Sequence, residues 1–133
     1  MDKIIVIKEY NKVILSYFRR CLKGDKFGMT MPKLNDTSFL VVNVGDDDEW
    51  RGLLHCLING DVLIFSGYTN KEYRRRGIST KLRKYVIDKY EDIRRFESLT
   101  MEGSYSDVLL EKMGFIKEGN KMIYDVRTLI QRN

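Results

Sequence analysis

Apolar positions change their period twice along this chain. Ile4–Ile7 is a short apolar run that reads as a strand. After Asn11 the spacing turns helical: Val13, Ile14, Tyr17, Phe18 and Cys21 fall on one face, which predicts a helix through Leu22 capped by Asn11. Lys23–Asp36 holds glycines, the proline and many polar residues, and reads as a loop with room for one helical turn. Strand character then dominates. Ser38–Val44 is a β-rich run, Gly45–Glu49 a tight acidic turn, and Trp50–Ile58 the next strand. Asn59-Gly60 is a hairpin signal because both residue types tolerate positive φ, so Asp61–Thr69 should pair back on its predecessor.

Beyond Arg76 the helical period returns. Ile78, Leu82, Tyr85 and Val86 share a face, predicting a helix from about Gly77 to Tyr90. Phe96–Met101 reads as a strand, and Ser106–Met113 as a short helix ended by Gly114. Phe115–Lys117 and Lys121–Val126 read as a closing hairpin that turns at Gly119-Asn120. The order is β-α-β-β-β-α-β-α-β-β. That is an α+β chain: a mixed, mostly antiparallel twisted sheet flanked by helices, in one domain over residues 1–133.

Composition narrows the function. With 43% hydrophobic residues the chain can bury a core, and its 32% charged residues are of both signs, so disorder is not indicated. Cys21 and Cys56 lie in apolar patterns without a CxxC pair and read as reduced buried thiols. His55 is the only histidine, which excludes a multi-histidine metal site, and no metal is expected. No stretch approaches the ~20 apolar residues of a membrane span, so the expectation is a soluble, cytoplasmic protein. The net charge of +5 points to a polyanionic partner, either nucleic acid or a phosphorylated small molecule. The absence of alanine and the frequent Lys, Ile, Asn and Asp are what an AT-rich genome produces, as in a phage or virus.

The informative junction is Asn70-Lys71-Glu72-Tyr73-Arg74-Arg75-Arg76-Gly77-Ile78-Ser79-Thr80, between a strand and a helix. A helix start presents unpaired N–H groups and about half a positive charge, a ready anion site. Gly77 lets a phosphate approach the backbone, Ser79 and Thr80 can donate hydroxyls, and Arg74, Arg75 and Arg76 surround the same loop. A solvated basic turn is the plain alternative. A P-loop would need a Lys-Ser/Thr pair after a longer glycine loop, and a dinucleotide fingerprint would need GxGxxG; neither is present.

Arg74-Arg75-Arg76-Gly77-Ile78-Ser79 resembles the Q/R-x-x-G-x-G/A signature of the GNAT superfamily of N-acetyltransferases. Leu110-Glu111-Lys112-Met113-Gly114-Phe115 is similar to that family's helix-ending Y-E-K-L-G-F segment, and the element order fits over nearly the whole chain. The resemblance implies an acetyl-CoA-dependent N-acetyltransferase. The strand ending at Tyr68-Thr69 would splay from its neighbour and offer its backbone to the pantetheine arm. The amides of Arg75 to Ser79, with Arg74, Ile78 and Thr80 in the same cradle, would hold the pyrophosphate. The acceptor amine, on a protein or small molecule, would enter from the opposite side and attack the thioester directly.

The chain departs from the pattern at several positions. Ser79 replaces the glycine or alanine of the motif, and Gly103 stands roughly where an asparagine is frequent. Leu110 takes the place of the family's general-acid tyrosine, leaving Tyr105, at the start of the same helix, as the candidate acid and Tyr124 as second choice. Leu63 and Phe65 are read as facing the reaction centre on the strand that often supplies the base, so Glu49, His55 or Glu102 would have to act through water. Deprotonating a lysine amine of pKa ~10.4 at pH 7 costs about 4.6 kcal/mol, and an α-amine near 7.8 only about 1 kcal/mol. A site without a dedicated base therefore suits an α-amine or another weakly basic amine.

Two further readings share the fold. In one the acceptor is aminoacyl-tRNA, contacted by Arg19, Arg20, Arg94 and Arg95; in the other the chain is a catalytically impaired CoA-binding or interaction module, monomeric or homodimeric. The acidic run Asp46-Asp47-Asp48-Glu49 is either a lure for a cationic substrate or a solvated turn. The transferase reading requires the helix start after Arg76 to be free of caps from the protein's own side chains and open to solvent.

Overall fold

The structure is a computed structural model that describes residues 2–22, 32–73, 76–99 and 105–126. Seven strands form one sheet: β1 (Lys3–Ile7), β2 (Ser38–Val44), β3 (Trp50–Asn59), β4 (Val62–Thr69), β5 (Arg95–Leu99), β6 (Ile116–Glu118) and β7 (Lys121–Asp125). Their spatial order is β1-β2-β3-β4-β5-β7-β6. Three helices accompany them: α1 (Lys12–Leu22), α2 (Ile78–Lys89) and α3 (Tyr105–Lys112). The element order matches that read from the sequence, with a one-turn 3-10 helix added at Lys71–Tyr73.

Each boundary has a local cause. Asn11 caps α1 as expected, its Oδ1 accepting the Ile14 N–H at 2.8 Å. The β3–β4 hairpin turns one residue later than expected. Asn59 pairs with Val62, so Gly60 and Asp61 make the turn, and Gly60 alone takes positive φ (63°). Lys23–Asp36 falls mostly outside the described residues. Its final part forms a knot in which Asn35 Oδ1 accepts from the Thr37 and Ser38 N–H groups. α3 ends in a Schellman motif: Phe115 N–H donates to Leu110 C=O and Gly114 N–H to Glu111 C=O, with Gly114 at φ 100°. Leu110 and Phe115 then pack in the same apolar cluster, completing the motif's hydrophobic contact.

The sheet alternation divides the apolar residues between its faces. On one face Phe39, Val41, Leu54, Cys56, Leu63, Phe65 and Phe96 meet Leu82 and Val86 of α2 and Leu110 of α3. On the other, Leu40, Val42 and Leu53 meet Phe18 of α1, whose ring lies edge-on to Trp50 at 5.9 Å. Cys56 is a free buried thiol, and burial pushes its pKa up to about 12, so the expected inert role holds for it. The Cys21 side chain lies outside the description. No described helix is long and apolar enough to cross a membrane, and the described residues include no cluster of metal-ligand type.

All neighbouring strands run antiparallel except β4 and β5. Their parallel pairing covers only Val62–Phe65 against Arg95–Ser98, while β4 continues to Thr69 on β3 alone. Among the described residues the pairing of β4 with β5 therefore ends at Phe65, which leaves a gap beside Ser66–Thr69.

Gly114→Ala should lower unfolding free energy by about 1–2 kcal/mol, because an L side chain is strained at this φ. Urea denaturation followed by circular dichroism measures it.

Candidate active site

The gap between β4 and β5 leads to the start of α2. Asn70 anchors the connection: its N–H donates to Arg51 C=O (2.9 Å), its C=O accepts from Tyr73 N–H (2.8 Å), and its Oδ1 accepts from Glu72 N–H (3.1 Å). Tyr73 is sandwiched between guanidinium groups, Arg51 at 4.7 Å and Arg76 at 5.3 Å from its ring centroid. That stacking fixes Arg76 beside the helix start while leaving it exposed. Arg74 and Arg75 lie outside the described residues.

Gly77 occupies the N-cap position of α2 with φ 78° and ψ 10°, and no side chain caps the helix. A Cβ built on Gly77 would meet no described atom within 4 Å. No acidic residue lies in the first turn. Ile78 is buried against the sheet, whereas Ser79 and Thr80 are partly exposed. The first-turn amides, the positive helix end and the neighbouring exposed Arg76 together favour an anion at the start of α2. A pyrophosphate fits this donor set, and the start of α2 follows β4, which ends at Thr69, by way of the 3-10 turn.

The expected acid–base groups are placed unevenly. Leu110 is 1% exposed in the core beneath α2 and does no proton chemistry. Tyr105 begins α3, but its side chain, like Glu102 and Gly103, lies outside the description. Tyr124 packs on Phe115 (5.3 Å) and edge-on to Phe96 (6.3 Å), a core aromatic. Leu63 and Phe65 do not line a reaction centre: both are fully buried under α2. The opposite face of β4 carries Ile64, Ser66 and Tyr68, the last packed against the α1-side cluster.

That correction brings His55 forward. His55 lies directly across from Ser66, the first β4 residue beyond the pairing with β5. Ser38 Oγ donates its one proton to Lys33 C=O (2.8 Å), so the 2.9 Å contact to His55 Nε2 requires that nitrogen to donate. Nδ1 is then the lone-pair nitrogen, and burial holds the His55 pKa below its ordinary value of 6.5. Glu49 instead binds Arg20 at 2.9 Å. The rest of the acidic turn is tied likewise, Asp48 to Lys3 (3.9 Å) and Asp47 to Arg51 (3.8 Å), as in a solvated turn. Of the arginines considered for RNA, Arg94 faces Asp61 (3.6 Å) and Arg95 faces Glu97 (3.4 Å) and Glu118 (3.8 Å).

Comparison with known proteins bears on the fold and the family. The coordinates resemble Escherichia coli YhhK solved bound to coenzyme A (TM-score 0.74, 11% identity, 94% of this chain and 98% of that one). They also resemble the E. coli ribosomal-protein-S18-alanine N-acetyltransferase (0.72, 11%, 92% and 91%). A third likeness is to the Vibrio cholerae spermidine/spermine N-acetyltransferase SpeG, solved with manganese ions (0.75, 13%, 99% and 96%). No curated protein sequence matches the chain. At these identities the likeness establishes the fold. The sequence model of the acetyltransferase (GNAT) family matches residues 8–115, most of the length and both motifs, and the chain therefore belongs to that family of N-acetyltransferases.

Proposed function

We propose that this protein moves the acetyl group of acetyl-CoA to a weakly basic amine, as one domain and without a metal. The observation that carries the reading is the uncapped start of α2, with Gly77 at φ 78°, beside the gap between β4 and β5. The amides from Gly77 to Thr80, with Arg76 and the flanking Arg74 and Arg75, hold the pyrophosphate. The β4 backbone beyond Phe65, Tyr68 and Thr69 included, takes the pantetheine amides as an added strand would. The cosubstrate supplies the activated thioester. The acceptor nitrogen bonds to its carbonyl carbon, the carbon–sulfur bond breaks, and coenzyme A leaves as a thiol.

The acceptor's proton is assigned to His55, reached through water from the α1 side of the sheet. This replaces the argument from Leu63 and Phe65 but keeps its conclusion about the substrate. A histidine whose pKa burial lowers takes a proton from an α-ammonium near ~7.8 against a smaller gradient than from a lysine-type ammonium near ~10.4. Tyr105 remains the candidate to protonate the departing sulfur.

Titration calorimetry should detect coenzyme A binding to the wild type. Gly77→Asp should abolish that binding with the circular dichroism spectrum unchanged, because it places a carboxylate before the amides. A protein that binds no coenzyme A, or a Gly77→Asp variant that binds it normally, overturns the reading. Acetyl-CoA consumption should be faster with α-amino peptides than with spermidine, and the reverse order would refute the acceptor assignment.

His55→Gln should lower kcat/KM by about 100-fold. With the folded pKa depressed, His55 is neutral at pH 7, so wild-type activity should carry an acidic limb below pH 6.5 that the variant loses. Leu110→Tyr, which restores the family's tyrosine, should cost about 1–3 kcal/mol by overpacking a site that is 1% exposed, with no gain in turnover. Thermal denaturation and a turnover assay check both halves.

A further inference from the structure

α2 buries a cation for which the reaction described above has no use. Arg83 is only 4% exposed. Its guanidinium lies over the Phe65 ring at 5.2 Å from the centroid and against Gly67, where a Cβ would stand 2.8 Å from Nη2. Gly67 belongs to the part of β4 that faces the gap. One bond is fixed: Nη1 donates to the Oγ of Ser79, one turn earlier in the first turn of α2. Nε has no partner.

Among the described residues no carboxylate pairs with this guanidinium. Cys56 is the neighbouring ionisable group, and burial keeps it a neutral thiol. Burial also draws the Arg83 pKa down to about 10, so the side chain remains charged at neutral pH. A buried cation without a counter-ion destabilises a fold, and an apolar side chain of similar volume is commonly as good or better. A role confined to packing does not account for it. Its hydrogen-bond partner supplies another. A serine oxygen that accepts from a guanidinium has its own hydrogen left to donate, and Ser79 is partly exposed at the uncapped helix end.

We propose that Arg83 is a positioning residue for the pyrophosphate of the cosubstrate, fixing the Ser79 hydroxyl as a donor and setting a full positive charge beneath the start of α2. The proposal rests on the coenzyme A site assigned above and adds to it a counter-ion relation: the ligand provides the negative charge that no described residue gives Arg83. Ser79, the departure from the family's glycine or alanine, and Arg83 then form one unit four residues apart on the helix.

Arg83→Met, Arg83→Lys, Ser79→Ala and the Arg83→Met/Ser79→Ala double variant test it, with coenzyme A as the probe in calorimetry and thermal melts. Without ligand, Arg83→Met should melt no lower than the wild type. It should bind coenzyme A at least about tenfold more weakly and show a smaller ligand-induced rise in Tm. Arg83→Lys should recover part of the affinity, and the double variant should lose no more than Arg83→Met alone. A Met variant that melts lower yet binds coenzyme A normally, or losses that add in the double variant, would overturn the proposal. Should Arg83→Met fail to fold, Ser79→Ala decides: unchanged affinity refutes the proposal and weakened affinity supports it. Wild-type protein that binds no coenzyme A removes the parent reading and this one together, whereas normal binding by the Met variant removes only this one.

Discussion

The helix that follows the arginine run begins without a cap, and much of the molecule is arranged around that vacancy in its hydrogen bonding. Most helices satisfy their first amides locally, as α1 does with Asn11. At α2 the residue in that position is Gly77, which has no side chain to offer and whose left-handed backbone turns the amides outward. Unpaired donors tolerate such a position only while water or a ligand reaches them. Exposure of the helix start is therefore a condition of the fold as well as of the chemistry. The 3-10 turn, the Asn70 bonds and the stacking on Tyr73 present the same start to solvent.

A second constraint is the early end of the β4–β5 pairing. Continuing it past Phe65 would close the gap and bury the Ser66–Thr69 backbone in a ladder. Among the described residues β4 has two partners over Val62–Phe65 and one over Ser66–Thr69. In the function proposed above, an extended ligand continues that ladder and the helix end holds its charged portion. One feature supplies length and direction, the other charge.

The sequence made the local features legible and the long-range ones obscure. Period, caps and turns located each described strand and α-helix to within a few residues, because each is specified by contiguous chain: Asn11, Gly114 and Gly119-Asn120 act where they stand. The β3–β4 turn moved by one residue because register across the hairpin, set by Asn59 pairing with Val62, decides which residues become the tip. Nothing contiguous specifies that β7 enters between β5 and β6 or that β4 and β5 run parallel. The facing of Leu63 and Phe65 was misread for the same reason. Alternation puts them together on one side but does not say which helix covers that side. Arg83 was missed because Lys81-Leu82-Arg83-Lys84 looks like an ordinary charged helix surface. Its spacing from Ser79 and Val86 was the available signal, since it places the residue beside the buried stripe.

The split sheet also bears on how the molecule assembles. β1 to β4 join through antiparallel neighbours, and β5, β7 and β6 form a second antiparallel group. The two groups meet along a seam of four parallel residue pairs, reinforced by the shared core under α2 and α3. Hairpins close cheaply, whereas a parallel seam across a helical crossover requires the larger loop entropy to be overcome first. The seam is thus the natural late event in folding and the natural place for the native state to breathe. A molecule lodged in it would act as a clasp between two half-sheets, and occupancy would raise the cooperativity of the whole domain.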